Sequence, residues 1–256
     1  MKKILVVEGN TKENNLELIS NNIETHTQSI HNSLKKLNSN LELDQFDPSI
    51  KDNSNKLDLE KYDGLIWSGG NGHIYENDYE TKLQVEFMKS CFKKVDKIFA
   101  ICWGMQVAVK AAEGDVRKSI KGPNIGVSLQ IELTDEGKAH PMYKEKKNNF
   151  NSPAFNFDEI SKLPHNTNCL SFNNINKFQS ISFKFDKSEV WAVQYHPEFD
   201  YDKMINLTIF KKKDLFENEL KFENHIQLLK KEKELSSDNF RMKELENWLG
   251  SIKCIN

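Results

Sequence analysis

Three runs of consecutive apolar residues constrain this chain more than any other feature. They are Ile4-Leu5-Val6-Val7, Gly64-Leu65-Ile66-Trp67 and Ile98-Phe99-Ala100-Ile101, the last entered through Lys97. A strand that is apolar at every position needs cover on both faces, which points to a parallel sheet sandwiched between helices. Between the second and third runs, Leu83, Phe87, Met88, Cys91 and Phe92 recur at helical spacing, making a strand-helix-strand crossover. After Cys102 the residues from Gly104 to Glu113 read as a helix stopped by Gly114 as its C-cap. Ser68-Gly69-Gly70 and Cys102 therefore stand at the carboxyl ends of parallel strands, the edge along which open α/β sheets bind ligands.

The second half alternates more. Residues 125–133, 167–172, 178–185 and 189–195 read as shorter antiparallel strands, separated by turn-rich segments such as the one around Asn148 to Pro153. From about Lys203 the pattern is helical, with Leu215, Leu220, Ile226, Trp248 and Leu249 expected to pack back on the sheet. The Asn- and Lys-rich residues 10–60 read as solvated loops. At 256 residues with 38% hydrophobic content, one α/β domain with an appended helical element is the expectation.

Composition narrows the function. Thirty-six basic against 38 acidic residues give a net charge of -2, with no one-signed block of the kind nucleic acid or acidic lipid attracts. The opening MKKILVVEGN has an apolar run too short for a signal peptide or a membrane span, so a soluble, cytoplasmic protein is expected. Cys91, Cys102, Cys169 and Cys254 are scattered without a CxxC pair and read as free thiols, with no metal site.

In AICWGMQ, Cys102 falls where strand turns into helix, close to the small residues Ala100 and Gly104. Such a turn projects a side chain at the top of the sheet, and the helix N-terminus behind it stabilises a thiolate. A buried small hydrophobe is the alternative for an isolated cysteine. Ninety-four residues on, VQYHPEF places His196 and Glu198 two apart at the end of another apolar strand. A cysteine nucleophile needs a base, and the base needs an orienting carboxylate. The other histidines, His73, His140 and His165 among them, sit in polar contexts and read as surface residues.

Three segments together resemble the class I (triad-type) glutamine amidotransferases. AICWGMQ looks like their nucleophile motif, YHPEF like their His-Pro-Glu motif and IWSGGNG like their oxyanion-strand motif. LTDEGKAHPMY resembles the segment with which the glutaminase domain of GMP synthetase continues, so the similarity spans roughly residues 1–205 and is nearest to stand-alone GMP-synthetase-like amidotransferases. The resemblance implies an open, mostly parallel, flavodoxin-like sheet flanked by helices; residues 206–256, beyond its reach, are expected from their own pattern to be a C-terminal helical extension packed on it. It implies Cys102 as nucleophile, His196 as general base and later acid, and Glu198 as the residue that holds the imidazole. It also implies an oxyanion hole from the N–H groups of Gly70 and Trp103, with Gln106 facing the same pocket. The reaction implied is cleavage of a γ-glutamyl amide through a γ-glutamyl thioester, with no metal or organic cofactor.

The chain departs from the pattern at Ala100, where glycine is usual, and at Asn71, where proline is common. It departs again at Asn156-Phe157-Asp158, where the family often has His-x-Asp in the loop rimming the glutamyl pocket. Asn156 and Asp158 are the expected substrate contacts there, Asp158 having a turn or cap role as the alternative. The segment Gly72-His73-Ile74-Tyr75 is expected to line room for a leaving amine. The stretch beyond residue 205 is too short for a nucleotide-binding acceptor domain, and no P-loop is present. This leaves a stand-alone hydrolase of small γ-glutamyl substrates or a glutaminase serving a separate synthetase chain; an inactive binding module is the third reading.

Overall fold

A computed structural model describes residues 1–50 and 57–253; Cys254 lies outside the described residues. Eleven strands are described: β1 Lys3–Val7, β2 Glu42–Phe46, β3 Gly64–Trp67, β4 Lys97–Ile101, β5 Asp115–Lys118, β6 Val127–Leu133, β7 Asn149–Pro153, β8 Asp158–Lys162, β9 Asn168–Phe172, β10 Ser180–Phe185 and β11 Ser188–Val193. Nine of them form one sheet in the order β2-β1-β3-β4-β11-β10-β9-β6-β7, while β5 and β8 pair separately. From β2 to β11 the neighbours run parallel, with Ile4 opposite Leu43 and Gly64, and Ile98 opposite Leu65 and Val190. Beyond β11 every pairing is antiparallel. The chain thus has an open, mostly parallel centre extended by an antiparallel wing.

The apolar runs sit at the middle of this sheet because helices cover both faces. On one face Leu5, Leu65 and Ile98 pack with Phe87, Met88 and Phe92 of α3 (Tyr79–Phe92) and Met105 and Val109 of α4 (Trp103–Ala111). On the other, Ile4, Val6 and Phe99 meet Ile30 and Leu34 of α2 (His26–Leu37) and Trp248 of α10 (Lys243–Ser251). A third cluster joins Leu18 of α1 (Lys12–Ser20) to Phe199, to Met204 and Leu207 of α6 (Tyr201–Phe210), and to Leu229 of α8 (Glu219–Leu235). Short α5 (Asp135–Ala139), α7 (Lys212–Leu215) and α9 (Asp238–Arg241) complete the helices. Among the described residues no helix is long and apolar enough to cross a membrane.

The structure corrects several expectations. Residues 10–50 are not solvated loop but α1, α2 and edge strand β2. Thr25 caps α2 with a full capping box, Gln28 returning a side-chain bond to its backbone. Asn149–Pro153 is a strand, β7, and not a turn-rich connection. Helix α4 begins at Trp103 and ends at Ala111, and the left-handed residue beyond it is Glu113 (φ 65°), so Gly114 is not its cap. Gly114 is required for a different reason, since a Cβ there would stand 2.6 Å from the Lys162 carbonyl oxygen.

The C-terminal helices pack back through Ile226, Leu229, Trp248 and Leu249, all buried, whereas Leu220 is 67% exposed and Leu215 half-buried. The anchor of α10 is polar as well as apolar. Glu244, fully buried, pairs with buried Lys146 at 2.8 Å and accepts from the Tyr195 hydroxyl at 2.7 Å. Tyr195 in turn meets the Tyr143 hydroxyl at 2.7 Å, which donates to Ser180 at 2.6 Å. Burial depresses the Lys146 ammonium, and the Glu244 carboxylate opposes that loss. This network ends one residue before His196.

Candidate active site

Cys102 links β4 to α4 at φ 51°, ψ -102°, a backbone conformation that L residues rarely occupy. Its N–H donates to Val193 O of β11 at 2.8 Å, and the next turn is tied down where Gly104 N–H donates to Ser68 O at 3.2 Å. A Cβ at position 104 would lie 2.8 Å from the Trp67 carbonyl oxygen, which is why a small residue follows the cysteine so closely. The sulfur is nearly buried, 3.9 Å from Phe155 O, and receives the side-chain amide of Gln194 at 3.5 Å.

His196 leaves the end of β11 with its N–H donating to Pro153 O at 2.7 Å. Its Nδ1 is 2.7 Å from Glu198 Oε1, and both side chains are buried. The ring stacks on Phe199 with centroids 4.1 Å apart and planes 3° off parallel, and buried Lys203 holds its Nζ 3.7 Å from the centroid of Phe199. Burial alone would pull the imidazole down. The Glu198 carboxylate, and after it the Cys102 sulfur, more than offset this and raise His196 to about 9. Buried Lys203 moves the opposite way, to about 7, because desolvation outweighs Glu198 and Glu24.

The loop after β3 is braced from β1. Gly9 N–H donates to Ser68 Oγ at 2.8 Å, and Asn71 N–H donates to Asn10 Oδ1 at 2.9 Å. Buried Glu8 underlies both by accepting from Asn10 N–H and Thr27 Oγ1, each at 2.9 Å. Gln84 collects the indole N–H groups of Trp67 (3.2 Å) and Trp103 (2.7 Å) on its oxygen and donates to Gly9 O at 3.0 Å. A Cβ at Gly70 would overlap the Gly9 carbonyl, so the position admits only glycine. Among the described residues, neither Gly70 N–H nor Trp103 N–H donates to any protein acceptor. Two backbone donors are therefore left without a protein partner beside the thiol.

A cavity of about 360 Å³ opens above Cys102. It is lined by Gly70, His73, Gln106, Asn156 and Asp158 and, from α1 and the segment after α6, by Asn14, Glu17, Lys211, Asp214 and Leu215. Gln106 is buried and its Oε1 has no partner, as suits a group waiting for a ligand. Asn156, also in the lining, accepts from Asn124 Nδ2 and donates to Asp158 O, each at 3.1 Å. Asp158 opens β8 and is neither turn nor cap residue, its buried carboxylate lying 2.7 Å from His73 Nδ1. His73 is thus not an unpartnered surface residue. Its segment divides: Gly72 and His73 line the cavity, while Ile74 is in the core.

The remaining histidines divide, His165 lying at the surface as expected. His140 stands edge-on to Trp191 with centroids 4.9 Å apart. His26 is buried 5.8 Å from the His196 ring, and desolvation, then the charges of Lys203 and His196, hold it well below its ordinary value. Sequence reasoning misses His26, Gln84 and Gln194. Gln194 is the residue with a local signal, a polar side chain next to Tyr195-His196 at a strand end; His26 has the capping box around it. No group of three or more His, Cys, Asp or Glu side chains among the described residues could hold a metal ion.

Residues 18–213 match the family described as glutamine amidotransferase class-I. A γ-glutamyl-L-1-hydroxyisopropylamide hydrolase from Pseudomonas sp is 32% identical over 199 residues, covering 77% of this chain and 67% of that protein. A glutamine-hydrolysing GMP synthase from Thermotoga sp. (strain RQ2) is 30% identical over 159 residues, and there the match spans 60% of this chain but only 29% of the synthase. In three dimensions a glutamine amidotransferase from Thermotoga maritima superposes with a TM-score of 0.70 at 17% identity, over 97% of this chain and 96% of its own, a likeness of fold. The family match covers most of the sequence and includes the turn at Cys102 and the strand end at His196, so the chain belongs to the class-I glutamine amidotransferase family.

Proposed function

We propose that the chain hydrolyses the γ-glutamyl amide bond of a small substrate, with Cys102 as nucleophile, His196 as proton carrier and Glu198 as its orienting carboxylate. The observation that carries this reading is the strained turn that sets Cys102 in the lining of a cavity with a buried His196–Glu198 pair beside it. Sγ attacks the amide carbon, and the oxygen that becomes negative is received by the N–H groups of Gly70 and Trp103. The C–N bond breaks as His196 gives its proton to the departing amine, leaving a γ-glutamyl thioester. Water, giving a proton back to His196, then displaces the sulfur and releases glutamate. Gln106 holds the glutamyl portion.

The similarity to a hydrolase of a γ-glutamyl hydroxyisopropylamide favours an amide larger than glutamine. Residues 1–205 carry the catalytic groups in this reading, and 206–256 form a helical cover that lends Lys211, Asp214 and Leu215 to the cavity mouth. Purified protein should release glutamate and amine from at least one member of a panel of γ-glutamyl amides faster than ammonia from glutamine. Cys102→Ser should abolish turnover and also labelling by a γ-glutamyl diazoketone. Silence on the whole panel with Cys102 still labelled would favour the second reading, which the similarity to GMP synthase supports: a glutaminase that works only with a synthetase chain.

The raised His196 gives a pH prediction. A proton held up to about pH 9 is available to the leaving amine through neutral pH and is lost as pH rises through that value. The wild-type kcat/KM should fall above about pH 9. In Glu198→Gln the carboxylate that raises the imidazole is removed, so the fall should begin at much lower pH. A coincident alkaline limb in the two proteins would contradict the pairing as the source of the shift.

A further inference from the structure

Among the polar side chains of the cavity to which the reaction above gives no part, His73 is held by a buried carboxylate. His73 Nδ1 lies 2.7 Å from Asp158 Oδ2, and the Asp158 side chain is 3% exposed. Tyr75 stacks on the imidazole with centroids 5.3 Å apart and reaches Asp158 Oδ1 with its hydroxyl at 3.2 Å. The ring is held from its edge and its face. With Nδ1 turned to a carboxylate, Nε2 is the nitrogen left for a ligand.

The two faces of the sheet assign the two ends of the substrate. His196 stacks on Phe199, which packs with α6 and with His26 of α2, so the leaving amine takes its proton on that side. Gln106 and His73 belong to the wall on the α4 side, so the rest of the glutamyl unit, with its α-ammonium and α-carboxylate, extends that way. Among the described residues lining the cavity, His73 and Lys211 can carry positive charge, and Lys211 faces Glu17 at 3.7 Å. We infer that His73, oriented by Asp158, pairs through Nε2 with the α-carboxylate of the γ-glutamyl unit and so selects substrates whose glutamyl head is free. The bound ring then stands between two carboxylates, that of Asp158 and that of the substrate. Asp158 acts on the carboxylate through His73 in this arrangement, as a positioning residue.

This inference rests on the γ-glutamyl reading, and its test separates the two without needing turnover. The rate of Cys102 alkylation is measured for three reagents: a γ-glutamyl diazoketone, its analogue lacking the α-carboxylate, and iodoacetamide. A charge-assisted hydrogen bond corresponds to roughly tenfold to hundredfold. His73→Ala should slow the full reagent by that factor, leave iodoacetamide within about twofold, and react with the decarboxylated analogue as the wild type does. His73→Gln, which keeps an N–H donor, should recover part of the rate, and Asp158→Asn should lose part of it with the same dependence on the carboxylate. Unchanged alkylation by the full reagent in His73→Ala, or equal slowing of both diazoketones, overturns the inference alone. A wild type that does not favour the γ-glutamyl reagent over iodoacetamide overturns the γ-glutamyl reading and this inference with it.

Discussion

His196→Ala is expected to lower kcat by about 10²- to 10⁴-fold, the range that a positioned general acid–base contributes. The loss should fall on kcat and not on KM, because the imidazole is buried behind the thiol and is not among the residues lining the cavity. Glu198→Gln should cost less. A glutamine oxygen can still accept from Nδ1–H and keep the ring oriented, although the negative charge is gone. Steady-state kinetics of both variants on the best panel substrate, with thermal melts showing that each is folded, decide the matter. A Glu198→Gln protein as inactive as His196→Ala would mean that the carboxylate does more than orient.

The second large effect is on stability. Lys146 and Glu244 are both buried, and removing one leaves the other charge without a partner in a region water does not reach. Lys146→Ala should therefore destabilise the protein by about 3–5 kcal/mol, read from denaturant unfolding. Replacing both with apolar residues of similar size should be much milder, since the cost lies in the orphaned charge. A single-variant loss below about 1 kcal/mol would show that Glu244 finds relief elsewhere. The neighbouring Tyr195 bond to Glu244 makes the strand end at His196 part of the same unit, so activity of Lys146→Ala should fail at a lower temperature too.

How much of the molecule is legible in the sequence depends on how local each signal is. The strands β1, β3 and β4 announce themselves because burial on two faces demands unbroken apolar runs. The turn at Cys102 and the His-Pro-Glu end of β11 are compact motifs, and the structure brings Cys102, His196, Glu198, Gly70, Trp103 and Gln106 to one place. Strand β2, Glu-Leu-Asp-Gln-Phe, is an edge strand with only two apolar residues, and nothing in its own composition distinguishes it from the loops around it. The pairing of His73 with Asp158 joins residues 85 apart, and that of Lys146 with Glu244 residues 98 apart. Neither partner has a neighbour in sequence that could disclose the contact. Asn156 stands where the family often has histidine; it lines the cavity, and its bonds to Asn124 and the Asp158 carbonyl join positions that no local pattern links.

The conformation of Cys102 has a consequence for how such a protein persists. A side chain at φ 51°, ψ -102° costs on the order of 1–3 kcal/mol relative to glycine, which occupies that region readily. Cys102→Gly should accordingly melt at a higher temperature than the wild type while doing no chemistry. Under the proposed mechanism, stability and reactivity therefore pull in opposite directions at this one position.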